Sequence, residues 1–203
     1  MKGGTSAGRG WCGIVWHRCP RMGDVLSRRL VELFHWVDPG PDSSHLVSDT
    51  SGWWRDPAVL AGIGPALAGL FPDARPTVVV APEVTGLLLG PLVAVAAGAG
   101  FLPAYKMGGQ RRRAGPMRWA ETPPDYRGRR LRMGVDAHRL GPADRVLLVD
   151  DWVATGAQLD ALDQVVRGSG AELVGAAAVV ATCPPYVAER LRLRSLLTGD
   201  DLD

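Results

Sequence analysis

The chain has too few cysteines to be held together by them. Its three, Cys12, Cys19 and Cys183, are odd in number and follow no metal-binding spacing. Neither a disulfide framework nor a metal centre on protein ligands is expected. Long hydrophobic runs are missing as well. No segment reaches the roughly 18 apolar residues that cross a bilayer. Thr85 to Gly100 is apolar, but Gly and Pro interrupt it. The N-terminus lacks the basic–apolar–small order of a secretion signal, which leaves the cytoplasm as the expected compartment and no membrane as partner. Charge of one sign is also lacking. A net charge of +2 points to no acidic or basic partner by itself.

What remains is the composition of an ordinary globular protein, 46% apolar and 22% charged. A length of 203 residues suits one domain with a sizeable core. Residues 1–20 are Gly-rich and irregular and read as an extension, with a single domain over 21–203. Leu26, Leu30, Leu33, Phe34 and Val37 recur at helical spacing and predict a helix over 23–37. Asp56-Pro57 is a helix start, with an acceptor side chain at the N-cap and Pro at the first position. That helix runs to about Leu70. Strands are predicted over 77–81, 101–105, 131–135, 145–149 and 173–181, with helices over 86–97 and 157–167 between them. Residues 106–130 show no period and are rich in Gly, Pro and Arg, so they read as one long functional loop. The tail from Cys183 is short and mixed. Alternating strands and helices predict an α/β fold, a mostly parallel sheet flanked by helices. Ligands of such sheets bind beyond the carboxyl ends of the strands. Glu83 and Asp150 both fall at such ends.

One segment carries more chemistry than the rest. Val146 to Val149 are apolar, Asp150 and Asp151 follow, and Ala154-Thr155-Gly156-Ala157 makes a tight turn. Leu159, Leu162, Val165 and Val166 then open a helical stripe. N–H groups at a helix N-terminus attract phosphate, and paired carboxylates accept hydrogen bonds from hydroxyls. A phosphorylated ribose meets both requirements. The ordinary alternative is a strand–turn–helix unit with acids at the strand end.

This segment resembles the 5-phosphoribosyl-1-diphosphate (PRPP) signature of type I phosphoribosyltransferases. From about residue 26 onward the chain is similar to the adenine branch of that family. The resemblance implies PRPP contacts at Asp150, Asp151, Ala154, Thr155, Gly156, Ala157 and Gln158. Ala157 and Gln158 replace the family's Gly-Thr, and Trp152 is bulkier than its usual aliphatic residue. Glu83-Val84-Thr85-Gly86 resembles the pyrophosphate loop, with Thr85 in place of arginine. Leu46, Val47 and Ser48 stand where the family covers the base, with Ser48 again in place of arginine, and Asp49, Asp56 and Pro57 follow in register. Lys106 sits at the root of the catalytic loop. Asp125, in Asp125-Tyr126, stands for the glutamate that approaches the base.

The resemblance implies Mg²⁺ bound with PRPP, a purine or purine-like acceptor and a homodimer. It leaves two readings. One is a nucleobase phosphoribosyltransferase, an Mg-dependent transferase releasing pyrophosphate. The other is a PRPP-binding regulator with little catalysis. Arg111, Arg112, Arg113, Arg118, Arg127, Arg129, Arg130 and Arg132 crowd one stretch. They read as a solvated loop that meets pyrophosphate in preference to a nucleic-acid surface.

Overall fold

The structure is a computed structural model that describes residues 22–40, 46–108, 115–123 and 130–203. The chain opens with helix α1 (Met22–Glu32) and a two-stranded antiparallel ribbon, β1 (His35–Val37) with β2 (Val47–Asp49). Helices α2 (Ser51–Arg55) and α3 (Pro57–Gly69) follow, then β3 (Val78–Pro82), α4 (Gly86–Ala97) and β4 (Gly100–Lys106). Next come β5 (Met117–Glu121), β6 (Arg132–Asp136), β7 (Arg145–Val153), α5 (Ala157–Gly168) and β8 (Glu172–Ala181). The chain ends with α6 (Pro185–Leu191), β9 (Leu193–Thr198) and a 3-10 turn, Gly199–Leu202.

Seven strands form one sheet in the order β5-β6-β4-β3-β7-β8-β9. The five from β4 to β9 run parallel, and β6 and β5 join antiparallel at the edge. Alternation along the central strands builds two cores. Val79, Ala81, Leu147 and Val149 face α1, α3 and α4, where Leu30, Ile63, Leu67, Leu89 and Val93 are fully buried. Val78, Val80, Val146 and Leu148 face α5 and α6. The predicted stripe of Leu159, Leu162, Val165 and Val166 is buried there. The α3 start is as read: Asp56 Oδ1 accepts from the N–H groups of Ala58 (2.8 Å) and Val59 (3.0 Å). Its Oδ2 takes the Arg29 guanidinium at 2.6 Å, tying α1 to α3. Among the described residues no helix is long and apolar enough to cross a membrane.

Four expectations change. The helix predicted over 23–37 ends at Glu32, and His35-Trp36-Val37 pair with Asp49-Ser48-Val47 instead. A partner strand ten residues on overrides a local helical period. The long loop contains β5, whose Met117 to Glu121 pair residue for residue with β6. It is an edge strand with little burial, so it leaves no apolar signal. Strand β7 does not stop at Val149 but runs through both aspartates, with Asp150 opposite Ala178 and Trp152 opposite Val180. The tail holds α6 and β9, too short for periodicity to reveal. Residues 1–20 and Asp125 lie outside the described residues, as do Arg111 to Arg113, Arg127 and Arg129.

Candidate active site

Sheet order sets β3 between β4 and β7, so the carboxyl ends of all three open onto one place. Each end contributes one part of the site.

Strand β7 contributes the acids and the turn. Asp150 is only 6% exposed, and its Oδ1 accepts the Asp151 N–H at 3.0 Å. Burial, and then the neighbouring Asp151 charge, push the Asp150 carboxyl well above the usual range, while the Lys106 ammonium pulls it back. Asp151 is half-buried. Beyond Val153 the chain turns through Ala154 and Thr155, both exposed, to Gly156 at φ 74°. A Cβ on Gly156 would fall 2.4 Å from Val187 Cγ1, so both the left-handed turn and the packing of α6 require glycine. Ala157 is already helical. Among the described residues only Arg75 and Arg192 carry a positive φ without being glycine, so Ala157 in place of a second glycine costs no strain. The Thr155 hydroxyl accepts the Ala157 N–H at 3.3 Å. Gln158 turns its side chain inward, and its Oε1 is buried with no hydrogen-bond partner. Asp150, Trp152 and the turn from Val153 to Leu159 line an open cavity of about 110 Å³.

Strand β3 contributes a second turn, Glu83-Val84-Thr85-Gly86, whose Glu83–Val84 peptide is cis. The Glu83 N–H donates to the Ala104 carbonyl at 2.9 Å, and its Oε1 accepts the Lys106 N–H at 2.6 Å. The carboxylate thus fastens this turn to the end of β4. Val84 is 77% exposed at the tip. Thr85 stands at the N-cap of α4 without a capping side-chain bond. The Leu87 and Leu88 N–H groups turn back to the Val84 and Thr85 carbonyls, so the Gly86 N–H is the one at the helix start that an anion could take. Strand β4 ends on Lys106 itself, half-buried and close enough to Asp150 for its charge to be felt there.

The ribbon β1–β2 supplies a fourth part. Ser48 lies directly across from Trp36, and Val47 across from Val37. Opposed residues share a face and neighbours do not, so the side chains of Val47 and Ser48 point opposite ways. Leu46, Val47 and Ser48 are all exposed, so none of them serves the core. The Trp36 ring sits 5.0 Å from Phe34 and 5.9 Å from Trp152. Trp152 therefore packs against the ribbon, with its Nε1 donating to Thr182 Oγ1 at 3.2 Å.

The structure thus gathers Glu83, Lys106 and Asp150 at neighbouring strand ends and places Asp150 and residues 154–158 around one cavity. It connects the ribbon to them through Trp36 and Trp152. Trp36 and Phe34 are missing from the sequence-derived site because their spacing reads as helix. No local signal marks them, because His35 to Val37 become a strand only by pairing with Val47 to Asp49. Among the described residues, no group of three or more His, Cys, Asp or Glu side chains is placed to hold a metal ion.

A mostly parallel sheet flanked by helices, with an acidic pair running into a helix N-terminus, is an α/β architecture whose strand ends can take an anion. No family model matches the chain. It is 31% identical over 180 residues to the adenine phosphoribosyltransferase of Streptomyces galbus, covering 89% of this chain and 93% of that protein. It is 34% identical over 145 residues to that of Klebsiella pneumoniae subsp. pneumoniae, covering 71% and 76%. Among solved structures, the adenine phosphoribosyltransferase of Rhodothermus marinus superposes with a TM-score of 0.74 at 25% identity, over 86% of this chain and 98% of that one. That of Leishmania donovani gives the same score and identity over 88% and 81%. The chain belongs to the adenine phosphoribosyltransferase branch of the type I phosphoribosyltransferases.

Proposed function

We propose that the chain transfers the 5-phosphoribosyl group of PRPP to a ring nitrogen of a purine or purine-like base, releasing pyrophosphate. The observation that carries this is a cavity lined by both Asp150 and the N-terminus of α5. The 5′-phosphate would lie on the N–H groups of Ala154 to Gln158 and on the Thr155 hydroxyl. Gln158 fits the same role: turning its carboxamide over puts Nε2 where the unpartnered oxygen now lies, as a donor to a phosphate oxygen. The ribose hydroxyls would donate to Asp150 and Asp151, whose charge favours the cationic sugar of the transition state.

Pyrophosphate would leave toward Lys106 and the open N–H groups of Val84, Thr85 and Gly86, with Glu83 holding the two loops together. A divalent ion that keeps its waters and binds through substrate phosphates suits a site with only two adjacent carboxylates. Mg²⁺ brought with PRPP would neutralise charge on the leaving group. Leu46, Val47 and Ser48 form the base side, and Asp125, outside the described residues, keeps the base-directed role that its likeness to the family's glutamate implies. The relatives are named for adenine. Ser48 and Thr85 in place of arginine favour a related heterocycle as much as adenine itself. The reading carries with it a cytoplasmic homodimer.

The test is pyrophosphate release from Mg-PRPP with a panel of purines, pyrimidines and related heterocycles. Release with one base, abolished by Asp151→Asn, is expected. PRPP binding without turnover would instead support a regulator. Failure to bind PRPP would overturn both.

A further inference from the structure

We infer that Trp36 is the residue that selects the acceptor, stacking its indole against the face of a flat heterocycle. The inference rests on the proposed transfer reaction and adds to it a specificity residue that the base-side segment 46–48 does not include.

Three observations converge on this side chain. The first is position. The ribbon register puts Trp36 on the same face as Ser48, and its ring lies 5.9 Å from Trp152. Trp152 follows Asp151 directly and lines the cavity of the sugar-phosphate turn. Trp36 is therefore one ring removed from the place where a ribose would carry its acceptor.

The second is fixation. Trp36 Nε1 donates to the Leu202 carbonyl at 3.2 Å, and the Phe34 ring stands perpendicular to the indole at 5.0 Å. Phe34 is in turn backed by Trp53, which is fully buried with its own Nε1 on the Leu30 carbonyl. An indole held this way loses little freedom when a ligand arrives.

The third is exposure. Phe34 and Trp53 are covered, whereas Trp36 remains 43% exposed. Ser48, the residue opposite, is too small to cover it. Leaving a fixed indole half in water forgoes the stabilisation of burying it. The exposed part of the indole lies next to Trp152, which lines the cavity of the turn, and a planar aromatic ring is a ligand that an exposed, fixed indole recognises. Selection by ring face also fits a chain with a serine, not a cation, on this side of the ribbon.

The experiment compares Trp36→Ala and Trp36→Phe with the wild type in steady-state transfer, with Mg-PRPP and each base varied separately. Trp36→Ala is expected to raise the KM for the base about fivefold or more, the lower end for loss of a base–aromatic stack. The KM for PRPP is expected to stay within about twofold. Trp36→Phe keeps an aromatic face and is expected to retain most of the affinity. A structural role would move both constants together and lower Tm in step. Either that pattern or an unchanged KM for the base overturns the inference. A second measurement does not depend on turnover. Adenine, hypoxanthine and benzimidazole are titrated against tryptophan fluorescence without PRPP. Quenching by at least one is expected, reduced in both variants. Absence of quenching by all three overturns the role of Trp36 even where calorimetry shows PRPP bound. Absence of PRPP binding with quenching intact overturns the transferase reading and leaves the aromatic site standing.

Discussion

Asp150 is a carboxyl held out of water with one N–H to stabilise its charge. Its pKa in the folded chain lies above the ordinary 3.8 because burial and Asp151 both oppose ionisation. The sign of the stability effect follows. Above about pH 4 the unfolded chain gives up this proton while the folded chain still holds it. Folding therefore weakens as pH rises from there through the raised pKa. Asp150→Asn removes the titration and keeps an oxygen for the Asp151 N–H. Its Tm is expected to match the wild type near pH 4 and to exceed it increasingly toward pH 7, while PRPP binding is lost. Thermal melts across that range check both halves. A wild-type advantage at pH 7 would show that the buried charge is better compensated than its surroundings suggest.

At the scale of elements, the site depends on how β7 hands over to α5. Gly156 makes that junction, left-handed and pressed against Val187. Gly156→Ala is expected to cost roughly 1–2 kcal/mol for the turn alone. It should raise the KM for PRPP more than tenfold, because the turn N–H groups move. Adding Val187→Ala should relieve the clash but not the backbone conformation, so stability recovers further than KM does. Ala157→Gly, by contrast, should leave the KM for PRPP within about twofold, since residue 157 is helical. Equal effects at 156 and 157 in denaturant melts and kinetics would contradict this assignment.

The same junction shows what the residues disclose before any coordinates. The acidic pair, the turn and the start of α5 are legible because each is written in adjacent residues. Strand β7 and helix α5 are legible from Val146 to Val149 and from Leu159 to Val166, whose burial leaves a period. The ribbon is not, because His35 to Val37 become a strand only when Val47 to Asp49 pair with them. Nor is the bond from Lys106 N–H to Glu83, which depends on the register of β3 with β4. Pairing between distant segments has no local signature. The parts of the site built that way, Trp36 above all, appear only in the fold.

For the whole molecule, helix α4 raises the question of assembly. Its twelve residues, Gly86 to Ala97, include no charged side chain. One side, with Leu89, Gly90 and Val93, is buried against the sheet and α3. On the other side Leu88 is 53% and Val95 84% exposed, seven residues apart on one face with exposed Pro91 between them. A helix that is apolar all round belongs in an interior, and an uncovered apolar stripe marks an interaction surface. A homodimer formed across α4 would supply the missing cover. The wild type is then expected to sediment as a dimer at micromolar concentration. Leu88→Glu combined with Val95→Glu should give a monomer whose far-UV spectrum is unchanged, because neither side chain supports the core. A wild type that sediments as a monomer would remove the homodimer from the proposal. A double variant that stays dimeric would place the interface on another face, and α4 would then need a different partner to explain its uncovered side.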